Sequence, residues 1–220
     1  MAPPPSAPRA VSPLTRYYLL AYNAVSFGLW ATCTLRAALL VILLAPTGHL
    51  PAVFGQVFSP LLVTAQSMAL LEILHSLLGL VRAPVFTTAM QVASRLLLVW
   101  GGALRGPGAQ AGDLAFLGCL AAWGITECIR YGFFALQVWG QGVPSWWTWL
   151  RYNTFYILYP IGISSECILI FLSLDRAAAL HPLYWWFFVV ALVIYIPGSY
   201  ILYTHMIAQR RKVLRGKKRA

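Results

Sequence analysis

Apolar residues in this chain form continuous runs of about twenty residues or more, without the every-other-residue alternation of a strand that faces water on one side. Six such runs stand at 17–43, 57–81, 85–104, 114–139, 147–174 and 183–207. Roughly 20 residues at 1.5 Å each cross about 30 Å of hydrocarbon, so each run has the length of a spanning helix. A barrel would need alternating segments of about ten residues, and these runs are too long and too uniform for that. The predicted fold is therefore all-α, a polytopic membrane bundle of six transmembrane helices. Composition agrees: with 60% hydrophobic residues, 10% charged residues and a mean hydropathy of +0.73, the chain is too apolar for a soluble domain.

The flanks divide the 220 residues into three parts. Residues 1–16 are rich in proline, have no apolar core of the kind a cleaved leader carries, and are expected to be disordered. Residues 17–208 form the membrane domain, and residues 209–220 a basic tail. The net charge of +11 does not point to nucleic acid, because seven of the sixteen basic residues crowd into the last eleven positions, directly after the sixth run. Basic flanks stay in the cytosol, and an even number of spans then puts both termini there. Membrane lipid is the implied partner of the tail, since basic residues near a headgroup surface are attracted to anionic lipid. The tail's Lys217-Lys218-Arg219-Ala220 also has the form of a dilysine retrieval signal of the endoplasmic reticulum. Cys33, Cys119, Cys128 and Cys167 all fall inside apolar runs without metal-ligand spacing, so neither a metal site nor a disulfide is expected.

All three glutamates, Glu72, Glu127 and Glu166, lie inside these runs, and only Asp113 and Asp175 are left for the connections. A charge near the middle of a spanning helix costs about 2.5–3.5 kcal/mol, so it faces a partner, a cavity or a reaction. The fifth run contains LRYNTFYILYPIGISSE, residues 150–166. Seven residues separate Tyr159 from Glu166, a rotation of about 700° on an ideal helix, which turns both side chains the same way. Tyr152 continues the stripe one heptad earlier. Pro160 removes a backbone donor and Gly162 adds freedom, so the helix is expected to kink or open between the two polar residues. A carboxylate and a phenol in a low-dielectric setting form a sensible acid–base pair, though two helices glued by hydrogen bonds would use the same residues. Glu72 and His75 share a helical face, as do Glu127 and Arg130; with Arg95 they are expected to pair into a buried network. By the same topology Arg82 lies at the cytosolic face, with Arg95 about 15 Å deeper.

The 150–166 stretch, together with LLEILHSLLGLVRAPV at 70–85 and WGITECIRYGFF at 123–134, resembles the membrane 3-hydroxyacyl-CoA dehydratases, also called protein-tyrosine-phosphatase-like, and most of all their plant PASTICCINO-type members. The resemblance runs from about Tyr17 to the basic tail. It implies that Tyr159 and Glu166 take the positions of the two catalytic residues. It further implies conversion of (3R)-3-hydroxyacyl-CoA to trans-2-enoyl-CoA, the third step of very-long-chain fatty acid elongation in the endoplasmic reticulum membrane, without a redox cofactor or metal. An acyl-CoA substrate and neighbouring elongation enzymes (condensing enzyme, ketoacyl reductase, enoyl reductase) follow as implied partners. By their own positions, Glu72, His75, Arg95, Glu127, Arg130 and Tyr152 read as a supporting polar network that either organises the bundle or orients Glu166 and the substrate. A CoA headgroup must stay near water, and Arg82 and Arg151 are the candidate phosphate contacts.

Two other functions compete. His75-Ser76, five residues and Arg82 have the spacing of a tyrosine-phosphatase signature with serine in place of the nucleophilic cysteine, which leaves at most a catalytically inactive phosphotyrosine-binding protein. A phosphate cradle needs free backbone amides ahead of a helix, whereas LHSLLGLVR reads as the end of one. A transporter using its carboxylates as proton relays should carry inverted repeats, and the sequence offers none.

Overall fold

The computed structural model describes residues 12–50, 52–57, 61–81, 83–101 and 110–217, and among them every regular element is helical. Helix α1 spans Pro13–Leu44 and starts a turn earlier than the apolar run, because Ser12 caps it: the Ser12 hydroxyl accepts from Thr15 N–H at 3.2 Å and Pro13 supplies a preset φ. Pro13 to Arg16, expected in the disordered leader, are thus helical, and residues 1–11 lie outside the described chain. A short 3₁₀ turn, Ala45–Thr47, ends at Gly48, whose φ of 73° is the left-handed conformation that glycine adopts freely.

The second run does not make one helix. Helix α2 (Ala52–Val57) precedes it, and from residue 61 it is divided into a wide turn at Leu61 and Leu62, α3 (Val63–Met68) and α4 (Leu70–Leu77). Helix α4 stops four residues short of Val81, where Leu80 N–H bonds back to the His75 carbonyl at 2.9 Å and Gly79, at φ 67°, bonds to the Ser76 carbonyl at 3.2 Å. This is the Schellman closure that a glycine after the last turn permits. Helix α5 spans Val85–Trp100, only 16 residues. Among the described residues four helices are long and apolar enough to cross a membrane, rather than six: Pro13–Thr47, Asp113–Trp139, Phe155–Leu172 and Pro182–Val213.

The later runs are also longer or more divided than their sequence suggests. Helix α6 (Gln110–Trp139) is continuous, but the fifth run breaks at Thr154 into α7 (Ser145–Asn153) and α8 (Phe155–Leu172), followed by α9 (Leu174–Leu180) and α10 (Pro182–Lys217). The predicted opening at Pro160 is not there. Helix α8 runs through that proline without interruption, and the break sits six residues earlier. The basic tail carries on as helix as far as Lys217, and its last three residues lie outside the described chain.

Neighbouring helices run antiparallel. Arg16 at the start of α1 donates to the Val138 carbonyl at the end of α6, while Thr34 lies against Gly124 further in. Helices α6 and α8 pair at Ala122 with Gly162 and at Gly118 with Ser165, where an added Cβ on Gly118 would stand 2.6 Å from the serine hydroxyl. Small residues at these crossings let the backbones approach, as packing between membrane helices requires. Helices α8 and α10 pair at Phe155 with Tyr203 and at Glu166 with Tyr195. The starts of α1 and α8 and the ends of α6 and α10 therefore share one end of the bundle, which carries Arg16, Arg210, Arg211 and Lys212. The opposite end carries Asp113, Asp175 and Arg176. Trp30, Cys33, Leu98, Tyr131, Leu169, Ile170 and Phe188 form the buried core between them.

Candidate active site

Helix α6 supplies the spine of the site. Trp123, Glu127, Arg130 and Tyr131 follow one another at four, three and one positions, a stripe along one face that faces α4, α5 and α8. Arg130 and Tyr131 meet α4, Glu127 meets α5 and Trp123 meets α8.

At the basic end of the bundle Tyr18 on α1 hydrogen-bonds His75 Nε2 at 2.8 Å, and Tyr22 lies edge-on to the same imidazole with ring centroids 4.7 Å apart. One turn deeper, Glu72 accepts two bonds from the Arg130 guanidinium at 2.6 and 2.7 Å, one from Tyr131 at 2.5 Å and a long one from Tyr22 at 3.4 Å. Arg130 also reaches Glu127 at 2.5 Å, and Glu127 is bridged on its other oxygen by Arg95. Glu127 is fully buried, with 0% of its side chain exposed, so two guanidiniums and two carboxylates neutralise one another inside the bundle. A bidentate Arg–carboxylate pair is the geometry that best offsets the loss of hydration. The expected pairing of Glu72, Glu127, Arg95 and Arg130 thus takes the form of one continuous chain; His75 joins its edge through tyrosines rather than through an ion pair.

The chain of contacts continues to Glu166. The Arg95 guanidinium lies 5.9 Å from the centroid of the Trp123 ring, and the Trp123 indole N–H donates to Glu166 Oε1 at 2.7 Å. The other oxygen, Oε2, accepts from the Tyr195 hydroxyl of α10 at 2.8 Å. Glu166 is 6% exposed. Among the described residues it differs from the other two intramembrane glutamates in kind: its donors are a neutral indole and a neutral phenol, with no cation on either oxygen.

Tyr159, on the same helix, also turns to α10, where its hydroxyl donates to the Ser199 carbonyl at 3.1 Å and its ring stacks on Tyr203 with centroids 5.6 Å apart. Tyr195 and Ser199 are one turn apart on α10, so a single turn of that helix holds both Tyr159 and Glu166. Measured along the helix from Asn153, which accepts a hydrogen bond from Arg210, Tyr159 lies roughly 9 Å and Glu166 roughly 20 Å into the bundle.

Tyr152 does not join this group. It lies edge-on to Phe133 of α6 with centroids 6.2 Å apart. Arg151 beside it stacks its guanidinium over Phe133 and Phe134, at 5.0 and 4.6 Å from the ring centroids. Arg82, the other phosphate candidate, lies outside the described residues. Among the described residues no cluster of three histidine, cysteine, aspartate or glutamate side chains could hold a metal. Sequence reasoning missed Trp123, Tyr195, Tyr131, Tyr22 and Tyr18. All five are aromatics within apolar runs, where only their opposition to a glutamate or histidine on another helix sets them apart, and the sequence does not state that opposition.

Comparison with known proteins bears on this arrangement. Residues 66–216 match the family model described as protein tyrosine phosphatase-like protein, PTPLA. A protein of Schizosaccharomyces pombe named probable very-long-chain (3R)-3-hydroxyacyl-CoA dehydratase is 43% identical over 199 residues, covering 89% of this chain and 92% of its own. The PASTICCINO 2A dehydratase of Oryza sativa is 43% identical over 223 residues, with 95% and 98% covered. The human dehydratase 2 is 35% identical over 215 residues, with 92% and 82% covered. No solved structure matches. The match spans the phosphatase-like stretch, the Trp123 to Tyr131 stripe and the Tyr159 to Glu166 segment alike, and the chain belongs to the protein-tyrosine-phosphatase-like family of very-long-chain (3R)-3-hydroxyacyl-CoA dehydratases.

Proposed function

We propose that this protein dehydrates (3R)-3-hydroxyacyl-CoA to trans-2-enoyl-CoA, with Glu166 as the base and Tyr159 as the acid. One observation carries the assignment of the base: Glu166 is the intramembrane carboxylate met only by neutral donors, whereas Glu72 and Glu127 are neutralised by guanidiniums. A carboxylate already committed to arginine is a poor proton acceptor, and one held by an indole and a phenol keeps its basicity. In the reaction Glu166 takes the proton from C2, the C2–H electrons form the C2–C3 double bond, and the C3–O bond breaks. The departing hydroxide takes the Tyr159 proton and leaves as water. Loss of the C2 proton from Glu166 to water and gain of one by Tyr159 from water restore both groups, and the redox state of the substrate never changes.

The membrane setting follows the same reading. Six crossings are the count we favour, because residues 61–77 and 85–100 each extend roughly 25 Å and complete the alternation of the four longer helices. The basic end of the bundle faces the cytosol by the positive-inside rule, with both termini there. The substrate's CoA headgroup would stay at that end while its acyl chain occupies the apolar interior. Arg151 is the described arginine we assign to its phosphates. The endoplasmic reticulum as the site of action, supported by the dilysine form of the tail, and the condensing and reducing enzymes of elongation as neighbours, supported by the reaction's place between them, are part of the same proposal.

The test is direct: protein purified in detergent should form enoyl-CoA from the (3R)-3-hydroxyacyl substrate. Retention of phosphopeptide without enoyl-CoA formation would support the phosphotyrosine-binding alternative. Against that alternative, Ser76 is 8% exposed and its carbonyl is bound in the helix-ending turn, so this stretch is the negative end of a helix rather than an anion cradle. Accordingly Ser76→Ala should keep dehydratase activity within a few-fold of the parent, and Ser76→Cys should release no phosphate from a tyrosine-phosphate substrate above background.

A further inference from the structure

We propose that Tyr195 on α10 is a positioning residue for this chemistry, fixing the plane of the Glu166 carboxylate against Trp123 so that its free lone pairs keep one direction. The inference rests on the reading of Glu166 as the base. The terminal torsion of a glutamate is broad and about two-fold, so a buried carboxylate without fixed donors rotates freely between equivalent settings. Here each oxygen has its own donor from a different helix, Trp123 of α6 at 2.7 Å and Tyr195 of α10 at 2.8 Å. Two donors on two rigid elements define the plane, and one donor alone does not. A base is effective only when its lone pair already points at the proton it removes, because reorientation during the step adds to the barrier.

Tyr195 has a second consequence through its place on α10. One turn further on, the Ser199 carbonyl holds the Tyr159 hydroxyl, so the same stretch of backbone sets the base and the acid relative to each other. Trp123 belongs to α6 and fixes only the base. Removing the Tyr195 hydroxyl should therefore disturb the reacting geometry without touching the apolar surfaces that bind the acyl chain.

The test is Tyr195→Phe in the full chain, assayed beside Glu166→Gln. The expected result is a fall in kcat of about 10-fold with KM within two-fold of the parent, the size of effect that loss of one hydrogen bond to a charged group gives. Exchange of the substrate's C2 hydrogen with deuterated solvent should slow by the same factor. Parent-like kcat in Tyr195→Phe, with Glu166→Gln inactive, would overturn the positioning role alone. A loss as deep as that of Glu166→Gln would overturn it in the other direction and make Tyr195 the proton donor itself. Full activity in Glu166→Gln would instead remove the reading of the base on which the role depends. If Tyr195→Phe does not fold, Trp123→Phe removes the opposite donor and is judged by the same split between kcat and KM.

Discussion

Glu166→Gln is expected to lower dehydratase turnover by at least about 100-fold, and Tyr159→Phe by a similar factor, with yield and stability in detergent close to the parent. General acid–base groups contribute about 10² to 10⁴ in rate. Both replacements keep the shape of the side chain. The glutamine carbonyl oxygen still accepts from Trp123 while its amide NH2 meets the Tyr195 hydroxyl as a donor, and the ring left by Tyr159→Phe would still stack on Tyr203, so little packing is lost. The two variants should part company in isotope exchange. With the acid removed, Glu166 still takes and returns the C2 proton, so Tyr159→Phe should exchange that hydrogen with deuterated solvent and Glu166→Gln should not. The reverse pattern would exchange the two roles. Exchange in neither would indicate a concerted elimination, and near-parent turnover in either variant would reduce the pair to a packing contact between α8 and α10.

The second large effect belongs to stability. Arg95→Met or Glu127→Gln is expected to cost about 3–5 kcal/mol, because each leaves an uncompensated charge where Glu127 is wholly buried. Replacing both at once, Arg95→Met with Glu127→Leu, should recover most of that loss, since Glu72 and Arg130 remain as a balanced bidentate pair. Thermal unfolding in detergent measures all three proteins. A double variant no more stable than either single one would mean that the charges are retained for something other than their mutual neutralisation.

The membrane class and the helical fold were legible in the sequence because twenty apolar residues in a row admit few other structures. The identity of the polar residues was legible for the same reason: a charge within such a run is conspicuous. What the runs concealed were their interruptions. The division of the second run at Ala69, and of the fifth at Thr154, falls among residues whose hydropathy gives no sign of a break. Pro160, where the usual rule predicts one, sits inside an unbroken helix because the packed bundle around α8 holds it in place. Partners across helices were equally hidden. Glu127 and Arg130 could be paired from their spacing, but Tyr195 lies 29 residues from Glu166, and its role is defined only by the antiparallel fit of α8 and α10.

The ion network also bears on how this chain enters the bilayer as it is made. Glu72 and Arg95 emerge first, on the two shortest of the apolar stretches, and their guanidinium and carboxylate counterparts, Arg130 and Glu127, both belong to the later α6. Until α6 arrives, neither charge has its hydrogen-bonding counterpart, and each opposes insertion by up to about 2.5–3.5 kcal/mol, in a segment with little length to spare. Arrival of α6 cancels both penalties together. Biogenesis should thus have a commitment point at the emergence of α6: before it an α4–α5 hairpin waits at the insertion machinery, and after it the hairpin is released into lipid as part of a neutral four-charge unit.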